Sequence, residues 1–184
     1  MLNKKEFANI RAELAKSENE REGQIRGSRE IIRLSKLIIY ALHREDQKKA
    51  EKLAKDIKSK IKKLSSATLT GMRNVALQEY TEALALLGFV KAGGIPTRKE
   101  LGVDTENYLG GLSDLTGELV RMAVNLAIKK KHGKVLEIKD IVAAIYGEFL
   151  QLDLRGGELR KKSDQIKWNL QKLEDMAYNI SKNE

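Results

Sequence analysis

Two pairs of carboxylates have spacings that can do chemistry: Glu79 with Glu82, three residues apart, and Asp114 with Glu118, four apart. On a helix both spacings turn the side chains to one flank. Around the first pair, Leu69, Met72, Ala76, Ala83, Leu87 and Val90 form an apolar sector. Glu79 falls beside that sector, between Met72 and Leu86, and Glu82 lies about 60° further round, at its edge. Around the second pair, Leu112, Leu115, Leu119, Ala123 and Leu126 form the apolar sector, with Asp114 and Glu118 on one side of it. A half-buried acid without a partner gives up its charge or is costly, so these positions ask for a cation, a basic side chain or a proton. If the two helices are neighbours, four carboxylates make the oxygen-rich set that Mg²⁺ or Mn²⁺ prefers. A metal there lowers the pKa of water and neutralises charge on a phosphodiester, and a carboxylate that is not a ligand can act as general base. By itself such spacing usually marks a solvated helix face or partners for Lys and Arg.

The elements that must position these acids are helices. From Asn3 to about Arg44 the chain is nearly all helix formers, interrupted by Gly23 and Gly27, which predicts either one bent helix or two end to end. In its second part Ile25, Ile32, Leu34, Ile38, Ala41 and Leu42 recur at helical steps, with Arg26, Arg29, Arg33 and Lys36 around them. The polar stretch from Glu45 to Lys48 starts a third helix, carrying Ala50, Leu53, Ile57, Ile61 and Leu64. A turn near Ser65 and Ser66 precedes a helix from about Ala67 to Lys91, which Gly93, Gly94 and Pro96 stop. A short segment, Arg98 to Leu101, leads to a long helix from about Thr105 to Lys131 that His132 and Gly133 close. Helices over Glu137–Leu150 and Glu158–Ser181 complete the chain, the last with Ile166, Leu170, Leu173, Ala177 and Ile180 facing inward. The expectation is an all-α fold of six or seven helices, one bundle over residues 1–184, with no solenoid repeat.

Composition limits the function classes. The chain has 184 residues, 35 Lys and Arg against 26 Asp and Glu, a net charge of +9 and a pI near 9.6. That balance favours polyanionic partners, nucleic acid first, although a basic surface also serves simple solubility. With no cysteine, disulfides, thiolate zinc sites and cysteine nucleophiles are excluded, and a reducing, cytoplasmic setting is expected. Met1 to Glu22 lack an apolar signal core and no later apolar run reaches the length of a membrane span, so no membrane association is expected.

The letters around the acids carry more than their spacing. LQEYTEA, Leu77 to Ala83, and YLGGLSDLTGELVRMAVN, Tyr108 to Asn125, resemble the two signature segments of Trax, the partner of translin. REGQIRGSREIIRLSKLIIYALHR, Arg21 to Arg44, resembles the basic stretch of the same translin/Trax family. DLTGEL followed by RM is the most specific of these matches. The resemblance implies an all-α fold of about seven helices in a hollow, barrel-like octamer that encloses RNA. It further implies a Mg²⁺-dependent (or Mn²⁺-dependent) endoribonuclease acting on single-stranded RNA, with Glu79, Glu82, Asp114 and Glu118 as catalytic residues. Glu79, Glu82 and Asp114 are then the metal ligands, and Glu118 an outer residue or helix-pairing residue. Arg21, Arg26, Arg29 and Lys36 fall where the resembling segment contacts nucleic acid, and arginine suits bidentate phosphate contacts. A homo-oligomer is the simplest assembly, since one chain carries both acids and basic segments; a translin-like partner subunit is the alternative. The chain lacks the long insertion that eukaryotic members carry between the acidic segments, which implies a compact version. The rival function is a non-catalytic, translin-like protein that binds single-stranded RNA or DNA.

The remaining features point to no second chemistry. His43 and His132 are isolated near helix ends and suit surface or capping roles. Lys58, Lys60, Lys62, Lys63 and Lys129 to Lys131 suit solvated faces, and Phe149, Trp168 and Tyr178 suit core or interface anchors. The glycines spell no phosphate loop, and no aromatic series offers a stacking platform for bases.

Overall fold

The computed structural model describes residues 2–64 and 71–182, and all regular structure among them is helical. The elements are α1 (Lys4–His43), α2 (Gln47–Ile61), α3 (Gly71–Ala92), α4 (Arg98–Leu101), α5 (Thr105–Ile128), α6 (His132–Leu150) and α7 (Gly157–Lys182). The all-α reading is therefore right. The turn expected at Ser65 and Ser66 and the expected helix start at Ala67 lie outside the described residues.

Helix α1 is a single element of 40 residues, begun by the Asn3 side chain, which accepts from the amides of Lys5 and Glu6. Gly23 and Gly27 do not divide it, because a lone helical glycine costs only about 1 kcal/mol against alanine. The first half of α1 is exposed, and packing begins at Ser28, Ile31, Leu34 and Ile38. Ile25, expected in the buried stripe, is only half-buried at the edge where that packing starts.

Both sharp corners flanking the core use a non-glycine residue in the left-handed region. At the end of α1, Glu45 has φ 60°, with Asp46 N donating to Ala41 O and Glu45 N to Leu42 O. At the end of α5, Lys130 has φ 55°, with Lys131 N donating to Leu126 O and Lys130 N to Ala127 O. Each pair of bonds closes a helix in the manner usually given to glycine. This corrects the reading of His132 and Gly133 as a stop: α5 ends at Ile128, and both residues belong to the first turn of α6.

The packing order makes α3 central. It lies against α1 on one side and α5 on the other, α7 packs on α5 and α6, and α2 lies on α1. As a result α3 is buried continuously from Tyr80 to Leu86, rather than along one apolar stripe. The approach of α5 to α3 depends on two glycines. A β-carbon at Gly111 would stand 2.5 Å from Thr81 Cβ and 2.6 Å from Gln78 O, and one at Gly110 would stand 2.7 Å from Gln78 Cδ. Close backbone approach therefore sets the spacing of the two acidic helices.

Helix α7, which buries Ile166 and Leu173, is tied to α5 by polar contacts. Ser113 Oγ donates to Lys162 O at 2.9 Å, and Asn169 Nδ2 donates to the buried Thr116 Oγ1 at 2.8 Å. Phe149 is in the core at 2% exposure, as expected, whereas Trp168 and Tyr178 are 58% and 59% exposed and lie outside the core. Among the described residues no helix is long and apolar enough to cross a membrane.

Candidate active site

Glu79 and Glu82 project from the middle of α3, and Asp114 and Glu118 from the facing turns of α5, so the glycine contact that closes these helices also brings the two acid pairs together. Glu82 feels the charges of the other three, and Glu79 those of Asp114 and Glu118. Glu82 is buried at 9% exposure, deeper than the sector edge where helical projection puts it, because α5 covers that flank of α3. Burial, reinforced by the negative charges of Asp114, Glu79 and Glu118, pushes its carboxyl up to about 8. Among the described residues Glu82 has no hydrogen bond or ion pair.

The other three acids each meet a cation or a proton donor. Glu79 is raised by burial against the opposing pull of Lys36, whose ammonium stands 3.6 Å from Oε1. Lys162 Nζ, from the first turns of α7, donates to both Asp114 oxygens at 2.7 and 2.6 Å and to Gly110 O at 3.3 Å. Glu118 Oε2 meets His43 Nε2, and Arg121 lies 3.6 Å from the same oxygen. The His43 hydrogen bond is the main reason that Glu118 is held below the ordinary carboxylate range.

His43 and Lys162 complete the site and are absent from the sequence-based set. His43 was assigned a surface or capping role, yet its side chain is only 5% exposed, and its Nδ1 is buried without a partner. A signal existed: His43 lies one turn after the buried Ile39 and two turns after the buried Ser35, on the packed face of α1. Lys162 offers no such signal, because its partner stands 48 positions away on another helix.

The predicted basic residues divide. Arg26, Arg29, Arg33 and Lys36 lie at steps of three and four on α1, all exposed, and the last of them reaches Glu79, so this stripe runs directly into the acid cluster. Arg21 lies off the stripe, 3.7 Å from Glu18. Among the described residues Arg26 and Arg29 pair with no acid.

The donor chemistry fits a hard divalent cation: four carboxylate groups, with Glu82 unpartnered and destabilised in its charged form by its neighbours. In the present side-chain arrangement no three of the described His, Asp or Glu residues are grouped so that they could hold a metal ion. Lys162 and Lys36 turn Asp114 and Glu79 toward themselves instead.

An all-α chain with a partly buried acid cluster between two central helices and a basic stripe leading to it defines the class. The Translin family model matches residues 19–181, and the chain belongs to that family. The translin of Gallus gallus is 33% identical over 90 residues, 48% of this chain and 39% of that protein. The matched stretch is thus well under half of that relative's length. A translin-associated protein X homolog of Schizosaccharomyces pombe is 26% identical over 200 residues, spanning 96% of this chain and 83% of that one. The solved structure of apo-NeC3PO superposes with a TM-score of 0.89 at 31% identity, covering 97% of each chain.

Proposed function

We propose that this chain is a metal-dependent endoribonuclease that cleaves single-stranded RNA, with Glu79, Glu82 and Asp114 holding Mg²⁺ or Mn²⁺ inside a hollow homo-octamer. The observation that carries this reading is Glu82. Burial, and then three other carboxylates, raise the cost of charging it, and a bound cation relieves that cost. When bound, the metal supplies acidification of water and neutralisation of charge on the phosphodiester.

The chain's own side chains account for the rest. The stripe of Arg26, Arg29 and Lys36 on α1 holds RNA phosphates in sequence-independent contacts and leads the strand toward α3. Lys162 places a positive charge beside Asp114, where it can meet a phosphate oxygen once the acid turns to the metal. Glu118, whose ionised form His43 and Arg121 favour, accepts a proton in this reading. Arg21 contributes only to the outer electrostatic field. The exposed apolar residues Phe7, Ile10 and Leu14 on α1, with Trp168 and Tyr178 on α7, are the surfaces available to neighbouring subunits, either copies of this chain or a translin-like partner.

A non-catalytic binding protein for single-stranded RNA or DNA is favoured by one observation: the ion pairs that occupy Asp114 and Glu79. One experiment separates the readings. Labelled single-stranded RNA is incubated with wild type and Glu82→Ala in Mg²⁺, Mn²⁺ or EDTA. Cleavage by wild type in metal, absent in EDTA and in the variant, is the expected result. RNA that is bound yet stays intact with either metal overturns the nuclease reading in favour of the binding one.

A further inference from the structure

His43, which meets Glu118, also lines a concavity. Its volume is about 500 Å³, within the range of small-molecule sites. The end of α1, the corner at Glu45, the end of α3, the end of α5 and the start of α6 all contribute to it. Phe89, Met122, Leu126 and Ile138 give it an apolar wall, and Asn125 and Gln47 add polar groups. Its other side is cationic. Lys129, Lys131 and Lys134 stand there against two acids, Glu45 and Glu137.

Two features of this concavity look toward an anion. Lys129 is satisfied by Glu45 at 2.7 Å, but among the described residues Lys131 and Lys134 have no acid partner within ion-pair distance. Helix α6 begins at this point with Lys131 at its cap position and no side-chain hydrogen bond to its first amides, so its positive end is uncapped. The His43 side chain that lines the concavity has its Nε2 committed to Glu118. Apolar wall, lysines and helix terminus together match a ligand with a flat apolar body and one phosphate.

We infer that the concavity between the ends of α1, α3 and α5 and the start of α6 is a binding site for a nucleotide phosphomonoester. The phosphate is held by Lys131, Lys134 and the first turn of α6, and the base lies against Phe89 and Met122. The occupant sits one side chain away from the acid cluster, because the His43 ring touches both. The site does not depend on RNA cleavage, and its chemistry is shared by a free mononucleotide and by the phosphorylated end of an RNA.

The test uses the full chain in EDTA with adenosine monophosphate as probe, so that no cleavage occurs. With only two histidines in the chain, the His43 imidazole resonances are assigned by comparison with His132→Gln. Adenosine monophosphate should bind and shift the His43 ring signals, and Lys131→Ala/Lys134→Ala should weaken binding about tenfold or more. Glu82→Gln, which disables the proposed nuclease, should bind the nucleotide as wild type does, so failure of one reading is distinguishable from failure of the other. A 5′-phosphorylated dinucleotide binding more tightly than the mononucleotide assigns the site to an RNA end, and the reverse assigns it to a free nucleotide. No binding, binding without movement of the His43 signals, binding unaffected by the double lysine variant, or equal binding of inorganic phosphate would each overturn the inference.

Discussion

Lys162 Nζ sits 2.6 Å from Asp114 Oδ2 and 2.7 Å from Oδ1, so a single ammonium from α7 occupies both oxygens of an acid proposed to bind metal. The lysine and a divalent cation compete for the same carboxylate. Lys162→Met removes the competitor while keeping the length of the side chain. Mn²⁺ should then bind severalfold more tightly, as followed by titration calorimetry, even if cleavage falls for want of a charge on the phosphate. Unchanged or weaker Mn²⁺ affinity would count against Asp114 as a ligand.

Glu82 makes stability depend on pH in a direction opposite to most acids. Its folded-state pKa of about 8 lies above the ordinary 4.5, so the folded chain holds the proton more tightly than the unfolded one. Stability is complete below the unfolded value and declines as pH rises toward about 8. Glu82→Gln has no charge to bury. In EDTA it should match wild type at about pH 4 and exceed it at about pH 9 by on the order of a few kcal/mol in urea melts. Parallel pH profiles for the two proteins would show that Glu82 is not charged at a cost.

Glu118 behaves in the usual sense. His43 lowers its pKa, so the stability from this contact is present above the ordinary carboxylate range and is lost as pH falls through the folded-state value. His43→Phe removes the hydrogen bond and lets Glu118 rise. If Glu118 accepts a proton during cleavage, the acid limb of the rate profile moves to higher pH in this variant. An acid limb that stays in place while overall activity drops would leave His43 a packing residue only.

The glycine contact between α3 and α5 can be tested apart from the acids. A methyl group at Gly111 must push against Thr81 and the Gln78 carbonyl, so Gly111→Ala should cost about 1–3 kcal/mol in denaturant melts. Since the push separates the helices that carry the acid pairs, cleavage of RNA should fall further than in a variant equally destabilised at a remote core position. Leu173→Ala, buried on α7, supplies that comparison. Equal losses in the two variants would remove the link between helix spacing and catalysis.

What the sequence determined by itself was local. Apolar residues at helical steps fixed the type and nearly all the positions of the helices, and breakers such as Gly93, Gly94 and Pro96 set the clearest boundary. The same periodicity placed Glu79 with Glu82 and Asp114 with Glu118 on single helix flanks, and the signature segments around them pointed to the translin family. Both helix ends closed by Glu45 and Lys130 were harder to read, because a left-handed residue that is not glycine gives no letter to recognise. Only the tertiary structure decided which flanks meet. Gly110 and Gly111 allow α5 to close on α3, which buries Glu82 and makes four carboxylates one electrostatic unit. Lys162 and His43 join that unit from helices distant in sequence, and a pairing across 48 or 75 positions depends on packing of the whole bundle rather than on any local spacing.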